Sequence, residues 1–327
     1  MDYQATPLVS DTLATPQHDT HLVNGWGVAF NPQGFVWVAD AGTSTSTLYD
    51  GNGVPQSLVV SIPAGSAGEA EPTGIAFNGS TDFTLSAGGH SAPAVFLFVG
   101  EAGTVSGWAP SVSATSAITV FDGASIGASY KGATLAAQGS AHFLYATDFH
   151  NGRVDVFDGG FQRVATAGGF HDPSLPAGYA PFGIQAIGDH VVVAYAQQDA
   201  QAADEVKGAG LGIVDVFDTS GTLLKRLVTG GPLNAPWGIA LAPANFGRFS
   251  GALLVGNFGD GKINAFDADT GAFKGTLSHA DGSPIVIDGL WGLAFGNGLN
   301  AQPANTLFYA AGPNDESHGL YGRIDVQ

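Results

Sequence analysis

One short phrase recurs six times along this chain, and its spacing constrains the fold more than any other feature. It reads Asn24-Gly25-Trp26-Gly27-Val28-Ala29, Pro72-Thr73-Gly74-Ile75-Ala76 and Lys131-Gly132-Ala133-Thr134-Leu135. It returns as Pro181-Phe182-Gly183-Ile184, Pro236-Trp237-Gly238-Ile239-Ala240 and Leu290-Trp291-Gly292-Leu293-Ala294. The glycines at 27, 74, 132, 183, 238 and 292 lie 47, 58, 51, 55 and 54 residues apart. A near-fixed period of this size marks a propeller, solenoid or array. Each unit opens with an apolar strand such as 26–30 and continues with a second such as 35–39. The third often ends in an aromatic and an aspartate, as in Tyr49-Asp50, Phe157-Asp158, Phe217-Asp218 and Phe266-Asp267. Turn-forming residues follow these pairs. Four short strands per period predict an all-β, six-bladed β-propeller.

The blade cores are expected over 25–61, 73–121, 131–167, 182–228 and 237–278. The last blade has strands near 290–295, 306–311 and 319–326 and lacks a fourth. The strand-like segment 3–10 has no blade of its own, so it is expected to pair with the last blade and close the ring, which removes exposed edges. Residues 1–327 then form one domain. Two long insertions, 165–181 and 196–211, leave from one face, and long loops on a rigid scaffold often carry function.

The 49 glycines suit tight turns and close strand packing. With 28 acidic residues against 10 basic, the net charge of −18 argues against nucleic acid, because phosphate contacts need lysine and arginine. The chain has no cysteine, which excludes disulfides and thiol catalysis. No apolar run reaches the length of about 18 residues that spans a membrane, so no membrane insertion is expected. Nucleophile elbows, phosphate loops and the His-Glu-x-x-His zinc motif are absent.

In a propeller, the loop before strand one and the loop between strands two and three share one face. Residues at these positions surround the mouth of the central channel. The first position contributes Trp26, Thr73, Phe182, Trp237 and Trp291. Trp26, Phe182, Trp237 and Trp291 either plug the channel or form an aromatic floor for a substrate. The second position contributes Asp40, Glu101, Asp148 and Asn257, each close behind a buried strand. With His318 on the closing blade they form an expected oxygen-rich metal set. Asp148 and Glu101 are the expected catalytic carboxylates. Asn151 and Asp260 read as turn residues. A divalent ion of calcium, zinc, manganese or copper would polarise a carbonyl or activate water.

The strings Ala180-Pro181-Phe182-Gly183-Ile184-Gln185, Leu233-Asn234-Ala235-Pro236-Trp237-Gly238, Val255-Gly256-Asn257-Phe258-Gly259-Asp260-Gly261 and Ile287-Asp288-Gly289-Leu290-Trp291-Gly292 resemble a bacterial family of exported β-propellers. Some of its members carry exosortase (PEP-CTERM) sorting tails. That resemblance implies a secreted, periplasmic or cell-surface protein. The Pro-x-Gly-hydrophobic-Ala phrase is similar, at the level of single blades, to NHL repeats and to regucalcin and gluconolactonase propellers. Those proteins hold a central divalent metal and hydrolyse lactones, although their metal-binding Asn falls on Thr73, Phe182, Trp237 or Trp291 here. The expected function is thus metal-dependent hydrolysis of a small organic substrate, a lactone or ester, with oxidative chemistry if the metal is redox-active. The alternative is a non-catalytic propeller that binds a glycan, a small molecule or a protein, and under either reading the chain is expected to be a monomer.

Overall fold

A computed structural model describes residues 2–327. The described residues form strands and three short 3-10 turns, with no α-helix. Six sheets of four or more strands succeed one another along the chain. The first is built from Gly25–Phe30, Val36–Asp40, Thr45–Tyr49 and Val60–Ser61. Subsequent inner strands are Pro72–Phe77, Tyr130–Gln138, Tyr179–Ile187, Pro236–Leu241 and Leu290–Phe295. Within the first five blades, neighbouring strands are antiparallel and adjacent in sequence, with one interruption: a small hairpin, Thr84–Ala87 with His90–Pro93, is inserted into the second blade. The six-bladed β-propeller expected from the repeat is the observed fold.

Ring closure follows the expected route. Tyr3–Ser10 runs antiparallel to Leu320–Val326, with Tyr3 opposite Val326 and Ser10 opposite Leu320. The N-terminal strand therefore supplies the sixth blade's fourth strand, and Gln17–His18 pairs parallel to it at the sheet edge. Tyr3 is buried and donates its hydroxyl hydrogen bond to the Phe246 carbonyl of the fifth blade at 2.9 Å. The end of the chain thereby ties two blades together.

The repeat glycine has a steric cause. A Cβ built on Gly27 would lie 2.7 Å from the Thr73 carbonyl oxygen, and one on Gly132 would lie 2.9 Å from that of Phe182. Gly238 stands in the same relation to the Trp291 carbonyl, at 2.5 Å. Gly183 faces the Trp237 carbonyl and Gly292 the Trp26 carbonyl, while Gly74 meets backbone at 132–133. Each glycine thus abuts the inner strand of the next blade, too closely for any side chain. Outside this ring, apolar cores fill the spaces between blades. Trp37 of the first blade packs on Phe96 and Trp108 of the second, for example. Burying one such side chain contributes about 1.5–3 kcal/mol.

The two insertions behave differently. Residues 196–211 stay at the mouth. Residues 165–181 reach the mouth only at their end, where the Gly178 carbonyl accepts from the Gln198 amide; the chain first leaves the third blade after the two-residue strand Arg163–Val164. The Gly168 and Phe170 amides then bond to the Ser220 and Gly221 carbonyls, in the far-face hairpin of the fourth blade.

Candidate functional site

Every inner strand carries a β-bulge at the residue before its repeat glycine. In the third blade Tyr130 pairs with Asp148 and Gly132 with Thr147, so Lys131 is the extra residue. Phe182 and Trp237 are extra in the same way, as is Thr73. Register shifts fall at Trp26-Gly27 and Trp291-Gly292 in the first and sixth blades. A bulge bends its strand and re-aims a side chain. Here it gathers six side chains at one end of the channel. Trp26 stacks on Trp291 at 3.6 Å between ring centroids, and Trp291 stacks on Phe258 at 3.8 Å. Trp237 meets both Trp26 and Trp291 edge-on at 5.8 Å, and Phe182 meets Trp291 at 5.7 Å. These rings plug the channel.

Lys131 is the only charged member of the six. Its side chain is 3% exposed, and its ammonium sits 5.5 Å from the Trp26 ring centroid. It pairs with Glu101 and lies 3.5 Å from Asp204. Burial works against its charge, but Glu101, Asp204 and Glu205 outweigh it and hold Lys131 above the usual lysine range. Around it stand further carboxyl groups. Glu205 is pushed up to about 7 by burial, and Glu316 and Asp204 add to that shift. Glu316 is raised, chiefly by burial, while accepting a hydrogen bond from the Asn24 side-chain amide at 3.0 Å. Glu71 is raised by burial and by neighbouring Glu101. Lys207 lies over the Phe258 ring at 4.2 Å.

Two of these glutamates sit on a left-handed backbone, Glu71 at φ 44° and Glu316 at φ 63°. Asn314 and Asp315, at 57° and 50°, share that conformation. Non-glycine residues held this way cost about 1 kcal/mol or more, and such strain clusters at functional sites.

The expected metal set does not converge. Among the described residues, no three His, Asp and Glu side chains are placed to hold a metal ion. Asp40, Asp148 and Asn257 occupy equivalent ends of second strands, and all are fully buried. Asp148 receives the Asn151 side-chain amide at 2.8 Å and pairs with Arg153 at 2.9 Å. Its carboxyl is nevertheless raised, because burial dominates. Asn257 donates to Asp260 at 3.0 Å and to the Pro232 carbonyl at 2.8 Å. Both therefore brace their own hairpins and the loop that enters their blade's inner strand, through Ser129 for Asp148 and Pro232 for Asn257. Asp40 is raised well above the usual carboxylate range, because burial penalises its charged form. His318 bonds through Nδ1 to Asp11 at 2.8 Å, on the outer rim. Only Glu101 of the five reaches the mouth cluster. Trp26, Phe182, Trp237 and Trp291, expected to touch substrate, are 9% exposed or less and pack on one another.

Sequence reasoning passed over Lys131, Glu71, Glu205 and Glu316. The signal for Lys131 was present: it fills the repeat slot held elsewhere by Trp, Phe or Thr. Glu205 lies in the insertion 196–211, where function was expected. Glu71 and Glu316 carry no motif, and only tertiary structure brings them to the mouth.

No family model matches the chain. It is 35% identical to uncharacterized protein R648 of Acanthamoeba polyphaga mimivirus, over 97% of this chain and 78% of that protein. It is 32% identical to uncharacterized protein L690 of the same virus, over 97% and 84%. These comparisons lend no support to the exported bacterial family expected from the sequence. Among solved structures, virginiamycin B lyase from Staphylococcus aureus superposes with a TM-score of 0.54 at 15% identity, covering 100% of this chain and 99% of the lyase. That likeness establishes the propeller fold alone.

Proposed function

We propose that this chain, which belongs to the family of the mimivirus proteins R648 and L690, binds a small hydroxyl-rich organic molecule at the plugged mouth of its channel. The observation that carries this reading is Lys131. A plug needs only apolar side chains, and a buried charge costs several kcal/mol unless it is compensated. One bulge nevertheless aims an ammonium into a ring of carboxyl groups. The arrangement sets hydrogen-bond donors (Lys131, Lys207) among acceptors (Glu71, Glu101, Asp204, Glu205, Glu316), which suits the alternating hydroxyl groups of a sugar-type ligand. Glu205, half protonated near pH 7, could also exchange a proton with a bound hydroxyl. Lys131 supplies the positive charge that the sequence reading assigned to a divalent ion. The hydrolytic metal chemistry has no gathered donor set to support it.

A thermal-shift titration with monosaccharides, amino sugars and cyclitols tests this reading. At least one ligand class is expected to raise the Tm of the wild type and to lose that effect in Lys131→Met. In this variant Glu101 and Asp204, 26% and 75% exposed, keep access to water, and the ligand-free Tm reports whether it folds. No shift with any ligand, or the same shift in both proteins, overturns the proposal.

A further inference from the structure

The far end of the channel is open. Below the plug lies a funnel of about 420 Å³, within the range of about 300–1,000 Å³ typical of small-molecule sites. Phe30, Phe77, Leu135, Ile187, Leu241 and Phe295 line it, one from each blade. Its floor narrows to a space of about 30 Å³ beside Trp237. Among the described residues no titratable side chain lines the funnel, although the chain carries 28 acidic residues. Polar character comes from Thr134, Gln185 and the backbone. Every inner strand stands at the end of its sheet and pairs on one side only, so its other edge faces the channel axis. Such an edge presents unpaired N–H and C=O groups.

We propose that this funnel is a second binding site, for a small uncharged aromatic molecule bearing hydroxyl groups, of the phenol class. The apolar side chains take the ring within a lining that is otherwise largely polar backbone, and aromatic side chains favour edge and offset contacts with it. The strand edges and Gln185 offer partners to the hydroxyls. A charged ligand is disfavoured, because the walls hold nothing to pair with its charge. The closed floor admits a compact molecule and stops a chain from threading through. This site lies on the opposite side of the plug from Lys131 and does not depend on the function proposed for the mouth.

Isothermal titration of the whole chain with 2-naphthol at pH 7, where this probe is neutral, tests the assignment. Saturable one-site binding is expected, with naphthalene-2-sulfonate failing to compete. Leu241→Glu should weaken binding about tenfold or more, because it puts an uncompensated charge beside the ring. Leu241 is 43% exposed, so this replacement leaves the core intact. Lys131→Met should bind 2-naphthol like the wild type, which separates the two sites. Absence of saturable heat, equal affinity in Leu241→Glu, or equal affinity for the sulfonate overturns the proposal.

Discussion

Lys131 and Trp237 occupy the same slot in different blades, and the contrast between them separates plug from site. Trp237 donates its indole N–H to the Lys131 carbonyl at 2.7 Å and completes a packed surface. Lys131 carries a charge to that surface and draws carboxyl groups over it. Burial then sets their protonation. Glu205 titrates near 7 in the folded chain against 4.5 for a free side chain, so between those values the folded protein holds a proton that the unfolded chain releases. A proton bound more tightly in the folded state means that stability falls as pH rises through this window. Glu205→Gln has no such proton. Its stability relative to wild type should therefore improve from pH 5 to pH 7.5, as read by urea unfolding at both values. Parallel behaviour of the two proteins would place Glu205 in water.

At the scale of the strand, one device serves both fold and site. The bulge turns one residue toward the mouth, and the glycine after it lets the next blade approach. Gly238→Ala sets a methyl group 2.5 Å from the Trp291 carbonyl, where backbone on both sides resists movement. The cost should be about 1–3 kcal/mol, the usual penalty of overpacking, measurable as a lower denaturation midpoint. A change within about 0.5 kcal/mol, the level of a surface substitution, would mean that the blades have slack. Loops obey a different logic. The insertion 196–211 brings Asp204, Glu205 and Lys207 to the mouth. The insertion 165–181 instead carries Asp172 against Arg226 on the fourth blade's outer strand. Composition does not distinguish the two, because their destinations depend on which neighbouring hairpin offers backbone partners.

At the scale of the whole ring, stability depends on closure. Tyr3 stacks on Phe249 at 5.8 Å and touches Phe246 at 4.9 Å, while its strand completes the sixth blade. Tyr3→Ala removes these contacts together with a buried hydrogen bond. About 3–5 kcal/mol should be lost, as for other buried aromatics cut to alanine, with the unfolding midpoint reporting it. A smaller loss would show that the sixth blade holds without its anchor to the fifth.

The sequence by itself determined the number of blades, their boundaries to within a few residues, and the strand that closes them. Those features follow from local spacing: an apolar alternation, a glycine and a turn recur with one period, and each blade is one supersecondary unit. It also marked the aromatic slots and left open whether they plug or bind. Tertiary structure decided that question, because a bulge's direction and a ring's neighbours depend on six segments meeting around an axis. It likewise decided that Asp148 and Asn257 turn back to their own hairpins, and that Glu71, Glu205 and Glu316, scattered over 245 residues, face one lysine. Convergence of charge across blades leaves no trace in any single period, since no local interaction encodes it.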